Sequence, residues 1–112
     1  MDLTTDVRYY PVDGSVFINH DYLIKGVAGA ILWKLACEHQ HRGRSDFSTR
    51  ELRLAREELR LPEVQDNLES RLLLLMRRLA ERAAPMQIER TGRGRLRFAV
   101  ERPLRLLDAA AA

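Results

Sequence analysis

The spacing of hydrophobic and polar residues changes along this chain, and each change predicts an element. Between Val7 and Ile24 the apolar residues are β-branched or aromatic and come in short runs: Val7-Arg-Tyr-Tyr10, Ser15-Val-Phe-Ile18 and Tyr22-Leu-Ile24. Pro11-Val-Asp-Gly14 separates the first two runs, and Asp-Gly favours the positive φ angles of a hairpin turn. Asn19-His-Asp21 separates the second from the third. A short antiparallel meander is expected, too small to be stable unless it packs on something else. From about Val27 to Gln40 the period becomes helical: Ala28, Ile31, Leu32, Leu35 and Ala36 share one face, with Trp33 and Cys37 opposite. That pattern predicts a first helix touched on two sides, sandwiched between the strands and later helices. Gly26 and Gly29 weaken its first turn, and Gly43 is a stop signal.

A second helix is predicted to begin at Thr49. Ser48 at the N-cap and Glu51 three residues later make a capping box, with Phe47 and Leu52 as the hydrophobic staple across it. Pro62 suits the first turn of a third helix, in which Glu63 and Asp66 favour the positive end of the dipole. Leu68, Leu72, Leu75 and Leu79 form its core stripe, and Pro85 stops it, so helix three is expected over about 62–84. Two alternating runs follow, Met86-Gln-Ile-Glu-Arg90 and Arg95-Leu-Arg-Phe-Ala-Val100, joined through Gly92-Arg93-Gly94. They read as a β-hairpin with Met86, Ile88, Leu96, Phe98 and Val100 on its inner face. Residues 7–102 are expected to form one domain, with a flexible N-terminus (1–6) and a C-terminal tail (103–112). The expected fold class is α+β: a small N-terminal antiparallel sheet, three helices and a C-terminal hairpin wing, the plan of a winged helix-turn-helix.

Charge adds a direction to this plan. The chain of 112 residues is 31% charged with a net charge of +3, but residues 71–97 hold eight arginines against two glutamates. The positive excess therefore belongs to helix three and the hairpin, an electrostatic footprint suited to nucleic acid. The single cysteine, Cys37, excludes an intramolecular disulfide. Cys37 and His41 are the helical pair of ligand-type residues at i, i+4, but a plain helix end with exposed histidines explains them, and neither metal nor cofactor is expected. Glu57 and Glu58 are flanked by Arg56 and Arg60 as on a solvated helix face. With no nucleophile elbow, catalytic triad pattern or phosphate-binding glycine loop, the expected role is not enzymatic. No apolar run approaches the roughly 20 residues that cross a bilayer, so no membrane partner is expected, and the cytoplasm is the expected compartment.

The chain resembles the winged-helix output domains of OmpR/PhoB-type transcription regulators over nearly all of residues 7–100. The resemblance is carried by Asp13-Gly14-Ser15-Val16-Phe17-Ile18, by Ile31-Leu32-Trp33-Lys34-Leu35 in helix one, and by Phe47-Ser48-Thr49-Arg50-Glu51-Leu52 opening helix two. It continues in the Leu68, Leu72, Leu75 and Leu79 spacing, in Arg77-Arg78, and in Ile88 with Gly92-Arg93-Gly94. It implies a DNA-binding module whose third helix enters the major groove while the wing contacts backbone or minor groove.

Candidate contact residues follow from the helical and strand periods. With the leucine stripe inward, Asn67, Ser70, Leu74, Arg77 and Arg78 point outward and Arg71 lies at the flank. Asn reads adenine, Arg reads guanine, and a leucine packs on a thymine methyl. In the hairpin Arg90, Arg93, Arg95 and Arg97 are the candidate contacts to double-stranded DNA, with Arg93 topping the turn. Pairing of Arg77 and Arg78 with Glu81 is the competing explanation for the helix, and charge protection of an edge strand for the hairpin. Adjacent Leu73 and Leu74 support an alternative: a protein-interaction surface for a second copy of the chain or for a separate sensory or regulatory domain.

Overall fold

The computed structural model describes residues 3–55 and 68–109. The N-terminal runs form β1 (Thr5–Tyr10), β2 (Ser15–Ile18) and β3 (Asp21–Ile24). At the first turn the Gly14 amide donates to Tyr10 O at 2.8 Å, and the Asp13 carboxylate accepts from Ser15 N at 2.9 Å. These bonds satisfy backbone groups that the strand ladder leaves over. At the second turn Asn19 takes φ 57°, its amide donates to Asp6 O at 2.7 Å, and its side-chain oxygen accepts from Asp6 N at 3.0 Å.

The sheet has a fourth member that the sequence pattern did not announce. Leu104–Asp108, expected within the C-terminal tail, forms β7 and pairs in parallel with β1 from Thr5↔Leu104 to Tyr9↔Asp108. The sheet order is β3-β2-β1-β7. Arg105 locks the pairing with a two-pronged bond to Asp6, at 2.7 and 2.9 Å. β1 likewise begins at Thr5, inside the stretch expected to be flexible.

Helix α1 (Gly26–Arg42) lies between this sheet and helix α3 (Leu68–Glu81). Ala28, Gly29, Ala30, Ile31, Leu32, Leu35 and Ala36 are buried, and Trp33 stacks on Tyr9 with ring centroids 5.0 Å apart. The expected two-sided burial is therefore present. Gly29 has a packing reason: a Cβ there would run into the carbonyl oxygen of Gly14, so helix and turn touch backbone to backbone. Gly43 ends the helix in the left-handed region with its amide bonded to His39 O at 2.9 Å.

The capping box predicted at Ser48 forms. Glu51 N donates to Ser48 Oγ at 3.1 Å, Ser48 N donates to the Glu51 carboxylate at 2.8 Å, and the staple residues Phe47 and Leu52 are both buried. It opens α2 (Thr49–Leu54), and Ala55 is the last residue described before position 68. Immediately before α2, Asp46–Ser48 forms the short strand β4. It joins the hairpin strands β5 (Met86–Gly92) and β6 (Arg95–Val100) in a second sheet of order β4-β6-β5. The pairing runs from Asp46↔Arg97 to Ser48↔Arg95 and is extended by Thr49 N donating to Gly94 O at 2.9 Å.

In α3 the stripe Leu68, Leu72, Leu75 and Leu79 is fully buried. The expected first turn from Pro62 lies outside the described residues. The helix closes through Ala83 in the left-handed region (φ 48°), and Gln87 Nε2 donates at 3.0 Å to Leu79 O in its last turn and at 3.2 Å to Ala84 O just beyond it. One core joins both sheets and the helices: Val7, Ile31, Leu35, Leu52, Leu72, Met86 and Phe98 belong to a single buried cluster. The result is an α+β fold with three helices and two sheets among the described residues. None of these helices is long and apolar enough to cross a membrane.

Candidate nucleic-acid interface

Because one face of α3 is committed to the core, its other residues form a defined surface. Ser70, Arg71, Leu73, Leu74 and Arg77 line one shallow depression on that side. Leu73 is 43% and Leu74 49% exposed, unusual values for adjacent leucines on a packed helix. Arg71 and Arg77 are exposed and have no hydrogen-bond or ion-pair partner among the described residues. Asn67, the candidate adenine reader, lies outside the described residues.

Arg78 is placed differently from its neighbour. Its Nε donates to Leu23 O of β3 at 2.8 Å, and Nη1 lies 3.5 Å from Glu81. The guanidinium satisfies a carbonyl at the end of the N-terminal sheet and holds α3 against that sheet. The i, i+3 partner foreseen for it is present, whereas Arg77 leaves Glu81 alone. Half-buried and doubly engaged, Arg78 is a structural tie in this conformation.

The hairpin divides in the same way. Arg90 Nη2 reaches Glu69 of α3 at 2.9 Å, which fixes the hairpin to the front of that helix. Arg97 Nε lies 3.6 Å from Asp46 across the β4–β6 pair. Arg93, at the tip, and Arg95, on the outer face opposite Ser48, are exposed with no such partner among the described residues. A bulge between Arg90 and Gly92, together with Gly94 at φ 68°, turns the tip. The tip is anchored by the Thr49–Gly94 bond, so Arg93 projects from a fixed base.

Arg44 is a cation that the sequence reading did not single out. Its Nη2 donates to both Glu51 oxygens at 2.9 Å, and its guanidinium carbon sits 4.5 Å over the Phe47 ring. The Glu51 carboxylate raises its pKa above the ordinary arginine value by hydrogen bonding to the charged form. Arg44 braces the capping box. The signal was present in the sequence only as an arginine near a staple phenylalanine, too weak to separate from any other loop arginine.

The electrostatic outcome is a sorted set. Arg78, Arg90 and Arg97 tie elements together, while Arg71, Arg77, Arg93 and Arg95 remain available on α3 and the hairpin. The carboxylates nearest Arg71 and Arg77 in sequence, Glu69 and Glu81, already face Arg90 and Arg78. No group of three metal-ligand side chains converges among the described residues. His39 instead packs edge-on to Phe98, with Nδ1 3.1 Å from Arg44 O. No family model matches this chain, and neither does any curated protein or solved structure.

Proposed function

We propose that the chain is a winged helix-turn-helix that binds double-stranded DNA as the DNA-binding module of a transcription regulator. The order α1, β4, α2, α3, hairpin, with β4 closing a three-stranded sheet against the hairpin, supports the winged-helix reading. In this arrangement α3 enters the major groove, and Arg93 with Arg95 contacts phosphates or the neighbouring minor groove. One observation carries the reading: four arginines on α3 and the hairpin, Arg71, Arg77, Arg93 and Arg95, without a partner among the described residues. Edge protection by charge concerns the hairpin strands, and it leaves the helix arginines unexplained. The module is non-enzymatic, and the cytoplasm is the compartment that fits a chromosomal target.

The test is retention of a mixed-sequence duplex pool by the purified chain at low and at high salt. Retention at low salt that weakens steeply as salt rises is the expected result. No retention at low salt contradicts the proposal.

A second reading is favoured by the exposure of Leu73 and Leu74. In it α3 is a protein-interaction surface, most simply for a second copy of the chain or for a separate sensory domain. Association that is lost in the Leu73→Glu, Leu74→Glu double variant, with the circular dichroism spectrum unchanged, supports that reading; a chain that is monomeric at all concentrations removes its self-association form.

A further inference from the structure

Resting on the DNA-binding reading, we propose that α3 recognises the C5 methyl group of a pyrimidine in the major groove, with Leu73 and Leu74 as the contacting side chains. The outward face of α3 keeps only a few side chains free to read bases. Arg78 is drawn to Leu23 and Glu81, and Glu69 to Arg90. Both are removed from base contact by bonds within the fold. The remaining described positions are Ser70, Arg71, Leu73, Leu74 and Arg77, which share one depression.

At 3.6 residues per turn, Ser70 and Arg77 lie nearly in line along the helix, and Leu73 and Leu74 sit on either side of that line. The centre of the face is therefore apolar, with arginines above and beside it. A leucine neither donates nor accepts a hydrogen bond. The apolar group that a base edge offers in the major groove is the C5 methyl of thymine, and 5-methylcytosine carries the same group. Charge selects the partner class. Arg71 and Arg77 border the leucines and have no carboxylate partner among the described residues. A surface that covers the leucines must also receive two guanidinium groups, and a methyl-bearing base step between two phosphate strands does both.

The experiment is selection of duplexes from a randomised pool with the full chain, followed by affinity measurements on the selected site. Thymine is expected at one or more central positions. Replacing such a thymine by deoxyuridine, which lacks the methyl, is expected to weaken binding about fourfold for each methyl lost, the effect of exposing one buried carbon. Leu74→Ala and Leu73→Ala chains with wild-type thermal midpoints are expected to bind the thymine and deoxyuridine sites with more nearly equal affinity. Cytosine and 5-methylcytosine at the same position distinguish the sources: rescue by 5-methylcytosine shows that the methyl alone is read, and no rescue restricts the contact to thymine. Binding indifferent to deoxyuridine overturns the methyl contact while leaving DNA binding intact. Absence of duplex binding at low salt instead overturns the DNA-binding reading itself. Deoxyuridine-insensitive binding combined with loss of self-association in the leucine variants assigns these residues to a protein surface.

Discussion

Replacing Gly29 by alanine sets two physical effects of opposite sign against each other. Gly29 lies in the first turns of α1, where alanine is favoured over glycine by about 1 kcal/mol on helix propensity alone. The fold opposes that gain. A Cβ on Gly29 would collide with the Gly14 carbonyl oxygen, lie 3.0 Å from Gly14 C and come within 3.4 Å of Val16 Cγ2. The turn has little room to retreat, because Gly14 N is bonded to Tyr10 O at 2.8 Å and Gly26 N to Asp13 O at 2.9 Å. A Cβ on Gly14 would itself meet the Gly26 backbone, so the two segments are pressed together from both sides. Overpacking of this kind costs about 1–3 kcal/mol, and each turn hydrogen bond given up to relieve it costs about 1 kcal/mol more. The net expectation is destabilisation by about 2 kcal/mol, or a fall in thermal midpoint of about 8–16 °C for a domain of this size. The single tryptophan, Trp33, stacks on Tyr9 across the helix–sheet contact, so its fluorescence in a urea titration reports the transition directly. An unchanged or raised midpoint in Gly29→Ala refutes the close backbone approach and leaves helix propensity in control.

Arg78→Ala is expected to lower stability by about 1 kcal/mol through loss of the Leu23 carbonyl bond, and to weaken DNA binding for all sequences alike; a changed sequence preference in a selection experiment makes Arg78 a reader instead. Ala83→Gly is expected to raise the unfolding free energy in a urea titration by about 0.5–1 kcal/mol, because a left-handed alanine costs about 1–2 kcal/mol and glycine returns part of that gain as unfolded-state entropy. The Asp13 carboxyl is held below its ordinary value of 3.8 by hydrogen bonds from Ser15. Its folded pKa is depressed, so its contribution is present above that ordinary value and is lost as pH falls through the lower folded value. Asp13→Asn is expected to flatten this acid limb in stability-versus-pH curves, with no change near neutrality in the pH slope.

Much of the architecture was legible because it is written in local periods. The Leu68–Leu79 stripe, the alternation on either side of Gly92-Arg93-Gly94 and the Ser48–Glu51 box each need only neighbouring residues to be recognised. What escaped depends on distant pairing. β7 is a strand because β1, some hundred positions earlier, supplies its ladder and Asp6 holds Arg105. β4 is a three-residue strand, masked by the N-cap signals that follow it, and its partner β6 begins at Arg95. The candidate surface shows the same limit. Helical spacing put Arg77 and Arg78 on one outward face, but the Leu23 carbonyl that captures Arg78 is 55 residues away. The separation of Arg90 from Arg93 by a partner on another element, Glu69, was equally invisible to strand alternation.

In the proposed complex the available arginines of α3 and the hairpin bind DNA phosphates together. The most direct measurement is the salt dependence of affinity for a mixed-sequence duplex, read by fluorescence anisotropy. Four phosphate contacts give a slope of log K against log salt of about −3.6, or a loss of about 150-fold between roughly 50 and 200 mM salt. The Arg93→Ala, Arg95→Ala chain is expected to lose about 2 from the magnitude of that slope and to weaken binding to every sequence alike. A variant with the wild-type slope and affinity, or a wild-type chain that binds no duplex at about 50 mM salt, contradicts the account.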